Sequence, residues 1–117
     1  MKLKESGIIL FTEDYETALA FYVSNMGLRI REQKANLTVL DFGGSYLMIE
    51  DQGVSSSAPK TRSQNPTVLR LDVYDFEDAV HELRGRDVDV GVYEFSWGTI
   101  AVIVDPEGNR IELKNAD

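Results

Sequence analysis

Apolar positions along the chain follow two periods, and these periods occur in one order that is repeated. An apolar run at residues 7–12 is followed by apolar residues three and four positions apart from Tyr15 to Tyr22, and then by three β-type segments. A second series in the same order begins with residues 67–73. Spacing of three and four predicts one apolar helix face, and short runs rich in β-branched residues predict strands. The pattern therefore predicts βαβββ, repeated once.

Helix-capping and turn residues fit this order. The predicted strands lie at residues 7–12, 28–33, 37–42, 45–51, 67–73, 88–95, 99–104 and 110–114. Asp14 and Asp75 precede the two helices, where a carboxylate can accept from the unpaired amides of the first turn. Gly27 is suited to close the first helix, because glycine adopts the left-handed conformation without strain. The pair Gly43-Gly44 predicts a tight hairpin.

The two helices begin with the same motif, Asp-aromatic-Glu-x-Ala-aliphatic. Its copies start at Asp14 and Asp75, 61 positions apart in a chain of 117 residues. Between the copies, a Ser- and Pro-containing stretch without periodicity predicts an exposed connector, long enough to cover a site. We therefore predict a single domain of residues 1–117, made of a first module at 1–51, the connector at 52–66 and a second module at 67–117.

Composition excludes some functions and disfavours others. The chain has no cysteine, so it has neither disulfides nor thiolate metal sites. Its net charge of −8 argues against nucleic-acid binding, which depends on clustered Lys and Arg, and prefers a cationic ligand only weakly. No apolar run approaches a bilayer span, and the one near the N-terminus is too short for a signal sequence. We expect an acidic, cytoplasmic protein without nucleic-acid or membrane partners.

The motifs resemble those of the vicinal oxygen chelate superfamily, which includes glyoxalase I, extradiol dioxygenases and the fosfomycin and bleomycin resistance proteins. The resemblance covers almost the whole chain and is carried by Asp14, Ala18, Phe21, Tyr22, Gly27, Trp97, Gly98, Asp105, Pro106, Gly108, Asn109 and Glu112. It implies an α+β fold in which tandem βαβββ modules form a curved, barrel-like mixed sheet with the helices outside. It also implies a concave pocket, often completed across a homodimer. Trp97 before Gly98 is closest to the bleomycin-resistance-like members.

Metal-dependent members of this superfamily hold a divalent ion at four repeat-related positions: a His opening the first and fifth strands, and a Glu on the fourth and eighth. Counted seven residues back from the two capping aspartates, the His positions fall on Gly7 and Val68, which cannot coordinate a metal. Glu50 and Glu112 match the carboxylate positions. The single histidine, His81, is predicted to face solvent from the second helix. We therefore predict no metal and no cofactor, with a Mg²⁺ ion on two carboxylates and water as the open alternative.

Strand alternation predicts most of the side chains that line the pocket, and residues on or beside strands of the second module are predicted to form its mouth. The alternation gives Phe11, Tyr46, Met48, Glu50, Arg70, Asp72 and Glu112 as ligand-binding residues, with Ile9 and Arg110 on the same strand faces, and the mouth adds Tyr93 and Trp97. Each has a structural alternative. The apolar residues also suit an ordinary core, Trp97 suits a dimer interface, and the charged residues suit an ion-pair network in place of a lost metal.

Two classes of function fit these residues. The first is a metal-free, dimeric small-molecule-binding protein of the bleomycin-resistance type that sequesters a cationic aromatic compound. The second is a lyase, isomerase or dioxygenase of the same superfamily, which uses an unexpected metal set or takes Glu50 or Glu112 as a general base. A purely structural or regulatory dimer has no sequence feature in its favour.

Overall fold

Both predicted βαβββ series are present in the computed structural model, which describes residues 1–116. The elements of the first series are β1 (Gly7–Phe11), α1 (Tyr15–Ala20) with a π-helical continuation (Phe21–Asn25), β2 (Ile30–Lys34), β3 (Leu37–Phe42) and β4 (Ser45–Glu50). Those of the second are β5 (Leu69–Val73), α2 (Phe76–Gly85), β6 (Gly91–Phe95), β7 (Gly98–Val104) and β8 (Arg110–Asn115). By contacts, the chain divides into a first unit, Met1–Ser55, and a second unit that begins at Ser56.

Each unit contains one four-stranded mixed sheet, and the two sheets have the same topology. The strand orders are β1-β4-β3-β2 and β5-β8-β7-β6. In each sheet the first strand runs parallel to the fourth, and the other neighbours are antiparallel. The helix after the first strand supplies the crossover that parallel pairing requires. The predicted α+β class and tandem βαβββ modules are confirmed, as two separate sheets.

α1 begins as its motif predicts. The Asp14 carboxylate accepts from the Thr17 hydroxyl at 2.7 Å and from the Thr17 backbone N–H at 3.2 Å. Both hydrogen bonds lower the pKa of the Asp14 carboxyl because they stabilise its charged form, and the bond from the Thr17 hydroxyl has the larger effect. The predicted apolar stripe is buried, and the Tyr15 hydroxyl lies 2.6 Å from the Thr38 hydroxyl of β3. The stripe therefore fixes α1 on one face of the first sheet.

At the end of each helix, a residue that the sequence predicts to lie in the next strand donates its N–H to a helix carbonyl. The predicted α-helix changes to π-helical geometry at Phe21–Asn25, and Gly27 then takes a φ of 80°. The Leu28 N–H donates to the Tyr22 carbonyl at 3.0 Å. In the second unit the Val88 N–H donates to the Leu83 carbonyl at 3.0 Å. Because both amides satisfy helix carbonyls, β2 and β6 begin later than predicted.

α2 packs on the second sheet in the same way. The Asp75 carboxylate accepts from the Asp78 N–H at 3.1 Å, and Val80 and Leu83 are buried. His81 is exposed, as predicted. The strand residues buried on the helix side of this sheet are Leu69, Ala101, Ile103, Ile111 and Leu113. The alternate residues lie on the opposite face, which we call the open face of each sheet.

The hairpins and the connector differ in how well the sequence predicts them. Gly43 and Gly44 form the predicted turn with φ of 58° and 94°. The connector contains no strand or helix, but its second half is held to the second unit. Ser56 N–H donates to the Glu107 carbonyl at 3.0 Å, and Lys60 N–H donates to the Gly108 carbonyl at 2.8 Å. Residues 56–66 therefore form one wall of that unit.

Candidate functional site

The open face of the first sheet carries four of the predicted ligand-binding residues: Phe11, Tyr46, Met48 and Glu50. The parallel register places Phe11 beside Glu50 and Ile9 beside Met48. Phe11 is half exposed, and the Glu50 carboxylate, half-buried, has no hydrogen bond or ion pair within residues 1–116. The Glu50 carbonyl accepts from the Thr12 N–H at 2.8 Å and from its hydroxyl at 2.9 Å. The main chain of Glu50 is thus fixed, and its unpaired carboxylate lies beside the apolar surface of Phe11.

The His-equivalent position of the first unit, Gly7, is filled by an aromatic ring. A Cβ built on Gly7 would overlap the ring of Tyr46, its partner on β4. The guanidinium of Arg31 lies 6.0 Å from the centre of that ring. Arg31 is paired with Glu5 and Asp41, both at 2.8 Å, and these acceptors raise the pKa of Arg31, so that it stays charged. The Tyr46 ring therefore fills the space beside Gly7.

On the open face of the second sheet, the carboxylate of Glu112 lies between two arginines. Arg110 Nε donates to Glu112 Oε2 at 2.9 Å, and Arg70 approaches Glu112 Oε1 at 3.6 Å. Arg70 also lies 3.8 Å from Asp72. The register places Arg70 beside Glu112 on the neighbouring strand. Glu112 is thus neutralised by guanidinium groups.

This donor set does not fit a divalent metal. Residues 1–116 contain no group of three or more His, Cys, Asp or Glu that could hold a metal ion. Val68 lies at the His-equivalent position of the second unit and, together with Glu112, lines a cavity. A divalent ion at Glu112 would displace or repel two guanidinium charges that already neutralise the carboxylate. We therefore derive no chemistry through a metal at this position.

A cavity of about 230 Å³ lies beside Glu112 and includes residues that the sequence analysis missed. The sheet contributes Val68, Arg110 and Glu112 to its lining. The connector contributes Lys60, Arg62 and Asn65. No periodic pattern marks the connector residues. The only signal in the sequence is a pair of basic residues in a stretch otherwise rich in serine.

Two predicted residues of the second unit lie away from this cavity. The Tyr93 ring lies over Gly91, and it lines a separate cavity with Val102 and Val104. Trp97 lies in the turn between β6 and β7. It stacks on Phe95, with 5.1 Å between ring centres, and lines a cavity of about 450 Å³ at the start of α2. Glu112, Tyr93 and Trp97 therefore line three different cavities, whereas Arg70 and Asp72 join them only through the ion pairs beside Glu112.

The Asp-Pro-x-Gly-Asn motif holds the connector wall of the Glu112 cavity in place. Asn109 Oδ1 accepts from Lys60 Nζ at 3.1 Å and from Asn65 Nδ2 at 2.8 Å. Asp105 in turn accepts from the Asn109 backbone and side chain at 2.8 and 3.1 Å. Gly108 has a φ of 90°, and a Cβ there would lie 2.9 Å from the Ala58 carbonyl oxygen. The motif is thus a structural support for the cavity.

Comparisons with solved structures agree with this fold. An integron cassette protein of Vibrio cholerae is 21% identical, with a TM-score of 0.69 over 100% of this chain and 98% of that chain. Lactoylglutathione lyase of Agrobacterium tumefaciens is 19% identical, with a TM-score of 0.73 over 98% and 96%. The bleomycin-binding protein of Streptomyces verticillus, solved with copper(II)-bleomycin, is 17% identical, with a TM-score of 0.72 over 100% and 99%. At these identities the likeness shows the fold alone.

The family comparison goes further than the structural one. None of the curated proteins matches the chain. Within residues 1–116, no helix has the length and apolarity needed to cross a bilayer. The homodimer and the cytoplasmic location stay predictions. The model of the Glyoxalase/Bleomycin resistance protein/Dioxygenase superfamily matches residues 6–113, which confirms the resemblance read from the helix and turn motifs. The chain belongs to this superfamily.

Proposed function

We propose that the protein binds a small organic molecule without a metal ion. The observation that carries the proposal is the setting of Glu112, the carboxylate that matches the superfamily's ligand position. It receives a hydrogen bond from Arg110 and an ion pair from Arg70, with Val68 where a histidine would stand. A carboxylate neutralised in this way needs no metal ion for its charge. The superfamily's small-molecule site is then available for binding rather than for metal chemistry.

The first unit supports the ligand class that the sequence suggests, a cationic aromatic compound. Glu50 offers a carboxylate with no partner among residues 1–116, and half-exposed Phe11 lies beside it. An aromatic ligand can stack on the exposed ring of Phe11, and its positive charge can pair with the half-buried carboxylate of Glu50. A related protein, the bleomycin-binding protein of Streptomyces verticillus, was solved with copper(II)-bleomycin, which adds support by analogy alone.

Calorimetric titration with ethidium, a cationic aromatic dye, tests this ligand class. We expect saturable binding that Glu50→Gln weakens about tenfold, because one charge-assisted contact is lost. Glu16→Gln, which removes the same charge from an exposed position on α1, is the matched control and should leave binding unchanged. Absence of saturable binding would contradict the ligand class, as would equal weakening by both variants.

The second candidate is an enzyme that uses a carboxylate as general base, and the structure favours Glu50 over Glu112 for that role. Glu112 is held by two arginines, whereas the Glu50 side chain has no partner within residues 1–116. A general base must be within reach of a substrate proton, so an available carboxylate is the better candidate. Unchanged turnover in a Glu50→Gln variant would remove this candidate.

A further inference from the structure

The cavity beside Glu112 has a positively charged lining, although the protein as a whole is acidic. The chain carries 20 acidic and 12 basic side chains. Around this cavity the balance is reversed, because Lys60, Arg62 and Arg110 line it and Glu112 is the one acidic side chain in its lining within the described residues. Bringing three cations together costs repulsion, and an anion would relieve it. The local charge therefore favours a negatively charged ligand.

The cations also keep hydrogen-bond donors available. Arg62 has no hydrogen bond or ion pair with any of residues 1–116. Arg110 uses Nε for Glu112, and its two terminal nitrogens have no hydrogen bond there. Lys60 Nζ, which carries three N–H groups, donates to Asn109 only. Two guanidinium groups and an ammonium group thus have unused donors at one cavity.

The loop that carries two of these cations is ordered by its own contacts. Gln64 N–H and Asn65 N–H both donate to the Thr61 carbonyl, at 3.0 and 2.9 Å. Asn65 Oδ1 accepts from the Thr67 N–H at 3.1 Å, and Asn65 Nδ2 donates to Asn109 at 2.8 Å. A loop fixed before binding presents its donors at a smaller entropic cost.

We infer that this cavity binds an organic oxyanion, a carboxylate or a phosphate group, with Arg62 and Arg110 as the principal donors. Guanidinium groups match the geometry of both oxyanions. A volume of about 230 Å³ suits a head group with a few attached atoms, and Val68 offers an apolar wall for these atoms. The inference concerns the second unit and stands apart from the cationic ligand proposed at Glu50.

Nuclear magnetic resonance titration of ¹⁵N-labelled protein tests the inference. Sodium succinate and inorganic phosphate are added separately, with sodium chloride at matched ionic strength as the third arm. We expect saturable shifts of the amides of residues 60–65, 67, 68 and 110–112 with succinate, phosphate or both, and none with chloride. The arm that saturates at the lower concentration identifies the oxyanion.

Two variants make the test specific. Arg62→Gln removes a charge that makes no hydrogen bond or ion pair within residues 1–116, so we expect the fold to be kept and binding to weaken about tenfold. Arg86→Gln removes the same charge from the end of α2, where Arg86 pairs with Glu82 at 2.7 Å, and should leave binding unchanged. Equal weakening by both variants, no saturable shift with either oxyanion, or equal shifts with chloride would overturn the inference. Ethidium titration of the Arg62→Gln protein keeps this test separate from the proposal for Glu50. The variant should still bind ethidium, because the cationic ligand is proposed at Glu50 and not at Arg62.

Discussion

Replacing Asp105 with alanine should destabilise the second unit by about 3 kcal/mol, the cost of leaving several buried donors without an acceptor. Asp105 is 4% exposed. Its carboxylate accepts from the N–H groups of Glu107 and Asn109, at 2.9 and 2.8 Å, and from the Asn109 side chain at 3.1 Å. Because Asn109 holds Lys60 and Asn65, the loss should also release the connector wall of the Glu112 cavity.

Urea unfolding followed by the fluorescence of Trp97 measures this effect, since the chain has one tryptophan and it lies in the second unit. Asp105→Asn is the matched variant. It keeps an oxygen acceptor for the two backbone N–H groups and loses the bond to the Asn109 side chain, so it should cost about 1 kcal/mol. A similar loss in both variants would mean that the backbone hydrogen bonds contribute little.

Replacing Gly53 with alanine should destabilise the first unit by about 3 kcal/mol through a clash with main-chain atoms. A Cβ at Gly53 would overlap the Phe11 carbonyl group and approach the Thr12 nitrogen. The Gly53 N–H donates to the Thr12 carbonyl at 2.8 Å, so the segment has no room to move away without losing this bond. Since Thr12 also holds the Glu50 main chain, the substitution should disturb the Glu50 carboxylate as well.

Far-UV circular dichroism in urea measures the midpoint of unfolding for this variant. Gly85→Ala is the control, because it adds the same methyl group where nothing lies within 4 Å, and its effect should stay within about 0.5 kcal/mol. Both glycines lie outside the positive φ region, so backbone strain does not enter the comparison. A Gly53→Ala protein as stable as the control would contradict the close approach of Gly53 to the main chain of Phe11 and Thr12.

Periodicity predicts the order of the elements and the strand faces, although not the starts of β2 and β6. The stripe from Tyr15 to Tyr22 predicts the first helix, because burial on a sheet demands apolar residues at helical spacing. Alternation placed Arg70 and Glu112 on one face, and the parallel register brings them together. Both signals are local, and the repeated motif related the two halves of the chain.

Contacts between distant segments of the chain leave no local pattern in the sequence. Lys60 and Arg62 belong to an aperiodic stretch, and contacts with residues 44 to 49 positions away, such as those of Asn109 with Lys60 and Asn65, hold this stretch at the cavity. The sequence shows that Gly7 cannot bind a metal, but the Tyr46 ring lies beside Gly7 because of cross-strand packing, which the sequence does not reveal. Trp97 lies in a turn whose direction no alternation rule predicts.

Calorimetric titration of chelator-treated protein with Mn²⁺, Ni²⁺, Zn²⁺ and Mg²⁺ tests the central claim most directly, namely that arginines and not a metal neutralise Glu112. We expect no stoichiometric binding of any of the four ions, because a divalent ion at Glu112 would have to displace Arg110 and Arg70. Stoichiometric binding of one of them that is lost in a Glu112→Gln variant would contradict the account.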